Sequence, residues 1–161
     1  MSTDSLAVYL NDHLAGSVAA LELIDALVGR VQGTPTEQRL RTVRVEVAAD
    51  QEVLRAVLDK VGGDESRLKQ AAAWLSEKLG EAKLAVTGHR HPDLDVLEGL
   101  ESLALGIQGK AGLWRALGVV APENPQLASF QFSSLEARAR TQYDQVEQAR
   151  LSAARAALGG A

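Results

Sequence analysis

The chain has 161 residues, a formal net charge of -4 and only 4% aromatic residues. Nucleic-acid binders usually combine a basic surface with stacking aromatic side chains, so this composition argues against that class. There is no cysteine, which excludes a disulfide framework and thiolate chemistry. The first residues carry no basic region, and no apolar run approaches the roughly 18 residues of a membrane span. We expect a soluble, cytoplasmic protein with one domain, residues 1–161, and neither nucleic-acid nor membrane partners.

The composition favours an all-α protein, because alanine, leucine, glutamate and arginine are abundant and there are only four prolines. Residues 34–37, TPTE, are typical of a helix start, and Gly62-Gly63 of a helix end. Asp95 with Glu98 indicates a further start, and Asn124-Pro125 another. These signals predict bundle helices at about 4–29, 35–61, 94–118 and 125–158, and a crossover helix at about 64–86.

The predicted lengths suit a four-helix bundle made of two helical hairpins. At 1.5 Å per residue the bundle helices are roughly 38 to 50 Å long, and the crossover helix is roughly 35 Å long. Short loops make the first two bundle helices antiparallel, and likewise the last two. A crossover that traverses the outside of the bundle makes the third bundle helix parallel to the second.

The second bundle helix carries the most informative pattern. Its apolar residues recur at steps of three and four: Leu40, Val43, Val47, Leu54, Val57 and Val61. Asp50 is the one position on this stripe without an apolar residue, and Glu46 lies one turn earlier beside it. A buried carboxylate is costly unless it is paired, hydrogen-bonded or bound to metal. We therefore expect a specific partner opposite Asp50.

Lys110 is the natural partner, because it fills a gap in the apolar series of the third bundle helix. Counting 1.5 Å per residue along the bundle places His13, Asp50 and Lys110 at one level. Glu46 and Glu101 fall at a separate, higher level by the same count. We predict that His13, Asp50 and Lys110 form one buried polar layer, with the imidazole donating to a neighbouring carboxylate or carbonyl.

Other features are interpreted as packing or surface. Gly106, Gly109 and Gly112 each cost helix stability of about 1 kcal/mol relative to alanine, which predicts close approach by another helix. The charges of the fourth bundle helix, Arg138 among them, are typical of a solvated face. The pair of histidines at 89 and 91 could hold a surface metal, although a solvated turn is favoured.

Three stretches resemble a group of small, uncharacterised bacterial proteins of the ferritin-like superfamily: YLNDHLAG at 9–16, AAAWLSEKLGEAKL at 71–84 and LEGLESLALGIQGKAGLW at 97–114. The resemblance implies two helical hairpins joined by a long crossover. Di-iron members of the superfamily use Glu-x-x-His motifs, but no histidine stands three residues after Glu46, Glu136 or Glu147. A standard di-iron centre is therefore not expected.

Two functions stay open, and the sequence assigns neither a reaction nor a cofactor. In the first, an interior polar cluster fixes packing or binds a small ligand or partner; its members are His13, Asp50, Lys110, Glu46 and Glu101. In the alternative, a carboxylate-rich site binds iron or manganese and supports oxidoreductase activity. Its candidate ligands are His13, Glu46, Asp50, Glu98 and Glu101. The mixed charge of the fourth bundle helix and the glycine face also predict a homodimer.

Overall fold

Four long helices make up the described part of the computed structural model, which covers residues 3–63 and 91–159 and isolated positions 69, 70, 73 and 77. The helices are α1 (Thr3–Arg30), α2 (Pro35–Val61), α3 (Pro92–Val120) and α4 (Phe132–Leu158). No strand occurs in these ranges, so the prediction of an all-helical fold is confirmed. None of the helices described here is long and apolar enough to cross a bilayer. The crossover helix predicted at 64–86 lies outside the described residues, except for the four isolated positions, which are helical.

Each helix packs mainly against two neighbours. The pairs are α1 with α2, α3 with α4, α1 with α3, and α2 with α4. Arg30 at the end of α1 donates to Asp95 at the start of α3, at 3.4 Å. Since the end of one helix meets the start of the other, α3 is antiparallel to α1 and parallel to α2, as the sequence predicted.

A polar layer at mid-height separates two apolar clusters in the interior. One cluster contains the end of α1 and the start of α2, while the other contains the start of α1 and the end of α2. On α2 the boundary falls between Val47 and Leu54, and on α4 it falls between Val146 and Ala139. The polar layer consists of the side chains at this boundary: Ser17, Asp50, Gln51, Lys110 and Gln142.

The boundaries of α2 agree with the prediction, and Gly62 ends the helix in the left-handed conformation with φ +76. The backbone N–H of Gly62 donates to the carbonyl of Asp59, and that of Gly63 donates to the carbonyl of Leu58, an arrangement for which glycine is preferred. At the other end Glu37 accepts from the backbone N–H of Gly33 at 2.7 Å. The hydroxyl of Thr34 donates back to the carbonyl of Val31 and does not cap the helix.

The start of α3 differs from the prediction. The helix begins at Pro92 after His91, and the predicted capping pair of Asp95 and Glu98 lies inside it. Asp95 instead pairs with Arg30, so a contact between helices takes the place of the local cap. His89, the other histidine of the predicted pair, lies outside the described residues.

The start of α4 was predicted seven residues too early. Two short 3-10 turns, Ala121–Glu123 and Pro125–Leu127, precede the helix. Leu127 is fully buried, and the ring of Phe132 stacks on Trp114 with centroids 6.2 Å apart. The packing of this turn against the end of the bundle therefore overrides the local helix signal at Pro125.

Candidate functional site

The carboxylate of Asp50 holds three helices together at the polar layer. Asp50 is 1% exposed, and its Oδ1 accepts from Arg138 Nε at 2.8 Å and also from Arg138 Nη2. Its Oδ2 accepts from Lys110 Nζ at 2.6 Å and from Gln142 Nε2 at 3.1 Å. Lys110 also donates to Gln142 Oε1. We call these four residues the Asp50 cluster; charge-assisted bonds of this kind are among the strongest in proteins.

Opposing effects act on the ammonium of Lys110. Burial lowers the pKa of Lys110, and the neighbouring positive charge of Arg138 acts in the same direction. The carboxylates of Asp50 and Glu46 oppose this shift, but burial is the larger effect. The pairing with Asp50 thus offsets only part of the cost of removing the ammonium from water.

The sequence identified one of the three partners of Asp50. Lys110 was found from its gap in the apolar series, but Arg138 was interpreted as part of a solvated face, which is wrong. Gln142 was overlooked although it is fully buried. Gln142 could have been found from the sequence, because it fills a gap in the buried apolar series of α4. The other members of that series are Leu135, Ala139, Val146 and Ala149.

His13 forms no hydrogen bond to the Asp50 cluster in the described residues. Its ring and that of Tyr9 make an edge contact, with centroids 4.7 Å apart. Ser17, one turn further along α1, lies at the polar layer instead and accepts from Gln51 Nε2 at 2.8 Å. Burial lowers the pKa of His13 from its ordinary value of 6.5, so the ring is mainly neutral at pH 7.

The candidate metal ligands do not assemble into a site. Asp50 already accepts from two cations, which would repel a metal ion. Glu98 is exposed, and Glu101 pairs with Arg150 at 3.2 Å near the surface. No group of three or more histidine, aspartate or glutamate side chains among the described residues could hold a metal ion. These positions therefore do not fit iron or manganese.

A pocket of about 320 Å³ lies between α1, α2 and α3 at the level of the polar layer. We call it the glycine-lined pocket because Gly16, Gly106 and Gly109 form part of its wall. A Cβ atom added at any of these three glycines would have no atom within 4 Å. The predicted close approach of another helix to Gly106 and Gly109 is thus wrong, since both border open space.

Asp50 and Lys110 line the same pocket, as do His13 and Trp114. Two members of the Asp50 cluster, Asp50 and Lys110, therefore lie on one side of the pocket. Most of the remaining wall is apolar, with Leu54, Ile107 and Leu113 as examples. An apolar cavity with a few polar groups is typical of sites for small organic molecules.

Three residues have buried polar atoms without a partner in the described residues. Trp114 is 1% exposed, and its indole N–H has no acceptor. Asn11 is 2% exposed, and neither its amide nitrogen nor its amide oxygen is paired. Glu46 Oε2 is also unpaired. Such groups are rare in folded proteins, because leaving them unpaired costs about 1–3 kcal/mol each.

Comparison with protein-family models, curated proteins and solved structures finds no match for this chain. The chemistry of the site is therefore inferred from its own side chains. Lys110 has three N–H donors, of which two bind Asp50 and Gln142. Among the described residues, the indole N–H of Trp114 has no acceptor, and its nitrogen is buried.

Proposed function

We propose that this protein is a helical bundle that binds a small, mainly apolar molecule in the glycine-lined pocket. The observation that carries the proposal is the combination of Gly16, Gly106 and Gly109 around one cavity. Glycine within a helix costs about 1 kcal/mol relative to alanine. None of the three is required by a neighbouring atom, because a Cβ at each would meet open space. Their effect is to keep the pocket open.

The size of the pocket supports the same function. Its volume of about 320 Å³ lies at the lower end of the usual range for ligand sites. An unfilled cavity loses contacts between the atoms that line it, so an apolar occupant would stabilise the fold.

The Asp50 cluster gives this pocket a fixed polar side. Its side chains come from α2, α3 and α4, and each bond restricts the rotamer of its neighbour. A binding site benefits from polar groups that are already held in place, because less conformational entropy is lost when the ligand binds. The same cluster also fixes the packing of the three helices, which combines the two roles expected from the sequence.

A ferritin-like arrangement remains part of the proposal. It is supported by the parallel direction of α2 and α3 and by the packing of each hairpin against the other. The metal-binding alternative gains no support from the positions of Asp50, Glu98 and Glu101.

The proposal is tested by filling the pocket from one wall. We expect 1-octanol to bind the wild-type protein, detected by calorimetry and by a rise in melting temperature. Gly109→Leu places a side chain into the pocket and should abolish this binding. The variant itself should stay folded, because leucine favours the helix and the added Cβ meets no atom within 4 Å.

Gly112→Leu is the matched control. Gly112 lies on the same helix and also borders open space, but it is outside the glycine-lined pocket. Both variants gain helix propensity alike, so only occupation of the pocket separates them. Binding of 1-octanol that is unchanged in Gly109→Leu, or absent in the wild type, would contradict the proposed function.

Self-association and location belong to the same proposal. We propose a cytoplasmic homodimer, supported by exposed apolar side chains on the outer faces of the last two helices, such as Leu105 and Leu151. Sedimentation equilibrium measures this directly. A mass near 17.1 kDa at every concentration would contradict the dimer.

A further inference from the structure

The glycine-lined pocket has an exposed end and a buried end. Asp12, Gly106 and Gly109 line it and are exposed, so they mark its mouth between α1 and α3. Leu54 and Trp114 line it as well but are 3% and 1% exposed, so they belong to its inner end. The indole nitrogen of Trp114 is itself buried and gives the pocket almost no polar surface. A ligand that enters between α1 and α3 therefore reaches an apolar interior.

The polar side chains of the wall that are not exposed already form hydrogen bonds within the protein. Asp50 accepts from Lys110 and Gln142 as well as from the arginine of the cluster. Lys110 also donates to Gln142, and Gln51 donates to Ser17 at 2.8 Å. A polar group at the inner end of a ligand would have to compete with these bonds, or it would lose the hydrogen bonds that it makes in water.

The polar side chains near the mouth differ, because they offer unused acceptors. Neither the carboxylate of Asp12 nor the ring of His13 forms a side-chain hydrogen bond in the described part of the chain. His13 follows Asp12 in α1 and is partly exposed. Burial lowers its pKa, so at pH 7 the ring is mainly neutral and keeps one acceptor nitrogen. A ligand group that donates hydrogen bonds therefore finds acceptors near the mouth.

We propose that the ligand is a hydrocarbon with one hydrogen-bond-donating end, a hydroxyl or an amine, and that it binds with its hydrocarbon end innermost. The hydrocarbon lies against Leu54 and Trp114, while the polar end stays at the mouth and donates to Asp12 or His13. A carboxylate lacks such donors and carries the same charge as Asp12. This inference rests on the proposed function, because it requires that the pocket takes up a small molecule.

The orientation is tested by intermolecular nuclear Overhauser effects with 1-octanol bound to the wild type. The chain has only two tryptophans, so Trp114→Phe identifies the ring resonances of Trp114 by their loss. The terminal methyl group of 1-octanol should contact the ring of Trp114. The methylene group next to the hydroxyl should contact the backbone amide of Gly109 instead. The opposite pattern would overturn the inference.

A second hydroxyl tests whether the inner end tolerates a polar group. 1,8-Octanediol has the chain of 1-octanol with a hydroxyl at both ends, so one of them must enter the buried end. Calorimetry should show that it binds roughly tenfold or more weakly than 1-octanol, the factor expected for one unpaired buried hydroxyl. Gly109→Leu should remove binding of both probes, and Gly112→Leu should leave both unchanged. Equal affinities would show that the inner end offers a hydrogen-bond partner, against the inference.

The donating end is tested with octylamine and octanoate at pH 7.5, where the first is a cation with donors and the second an anion without them. Octylamine should bind several-fold more tightly than octanoate, since the charge of Asp12 is exposed and acts weakly. Asp12→Asn should reduce the ratio of the two affinities, and because it is a ratio, a change in pocket shape affects both probes alike. Tighter binding of octanoate, or a ratio that Asp12→Asn leaves unchanged, would overturn the assignment of the polar end.

The outcomes separate the two proposals. If 1-octanol binds and Gly109→Leu removes it, but its orientation is reversed or the diol binds equally well, the inference is overturned and the proposed function stands. If neither 1-octanol nor octylamine binds the wild type at millimolar concentration, both proposals are overturned.

Discussion

Two regions of the bundle interior differ in how their buried polar groups are paired. Towards α4, the carboxylate of Asp50 is surrounded by donors from Lys110, Arg138 and Gln142. In the half of the interior that contains the start of α1, the amide of Asn11 and the indole N–H of Trp114 have no partners in the described residues. Asp50, Gln142, Asn11 and Trp114 are all buried. The difference indicates that the first region maintains the structure, while the second leaves hydrogen-bonding capacity unused.

The largest expected effect comes from breaking the Asp50 cluster. Asp50→Leu leaves Lys110 buried without its countercharge, and we expect it to lower the free energy of unfolding by about 3 to 5 kcal/mol. Adding Lys110→Met should recover part of this loss, because an apolar pair can replace a buried ion pair. Urea unfolding of both variants measures the difference.

An exposed ion pair provides the control for that experiment. Asp25 binds Arg44 at 2.5 Å, but their side chains are 52% and 42% exposed. Asp25→Ala should therefore cost about 1 kcal/mol or less. If Asp50→Leu costs no more than Asp25→Ala, the Asp50 cluster does not hold the three helices together.

A smaller effect is expected when a paired buried amide and an unpaired one are each replaced by leucine. Gln142→Leu removes an amide whose nitrogen and oxygen both form hydrogen bonds and leaves Asp50 and Lys110 each short of a bond, so a loss of about 1–3 kcal/mol is expected. Asn11→Leu removes an amide of similar shape that has no partner, so it should be neutral or stabilising. The urea midpoint should fall in Gln142→Leu and should stay the same or rise in Asn11→Leu. A comparable loss in both would show that Asn11 is paired after all.

The smallest effect concerns the pH dependence at His13. Burial lowers the pKa of His13 in the folded state below its ordinary value of 6.5, so the unfolded chain binds the proton more readily. Between these two pKa values stability rises with pH, and above 6.5 the contribution is constant. The loss of stability from pH 7 to pH 5 should therefore be larger in the wild type than in His13→Gln. Thermal unfolding at both pH values measures this, and the other titrating groups cancel in the difference; an equal loss would contradict the shift.

The sequence alone determined the helices, the direction of α3 and the burial of Asp50. Helix ends follow from local chemistry, such as the left-handed turn that glycine adopts at Gly62. Burial follows from periodicity, because a residue on an apolar stripe faces the core whatever its type. The same reasoning applied to α3 gave Lys110 as a partner of Asp50.

Only the tertiary structure decided which other side chains reach that carboxylate. Arg138 extends from a more exposed position on α4, and its long side chain reaches inward past the helix edge, which spacing along one helix does not reveal. His13 and Ser17 of α1 line the same pocket, but only Ser17 forms a hydrogen bond with α2 in the described residues, which residue levels alone do not reveal. The late start of α4 was decided by the burial of Leu127 against the bundle end.

The pocket also depends on tertiary structure, although its glycines are visible in the sequence. Gly106 and Gly109 are compatible with either close helix contact or open space, and the cost of glycine within a helix predicted the first. The choice depends on what stands opposite, and Gly16 on α1 adds a third missing side chain at that place. The sequence shows where glycine stands in each helix. A cavity forms only where glycines of different helices lie next to each other, and the packing of the bundle determines where that happens.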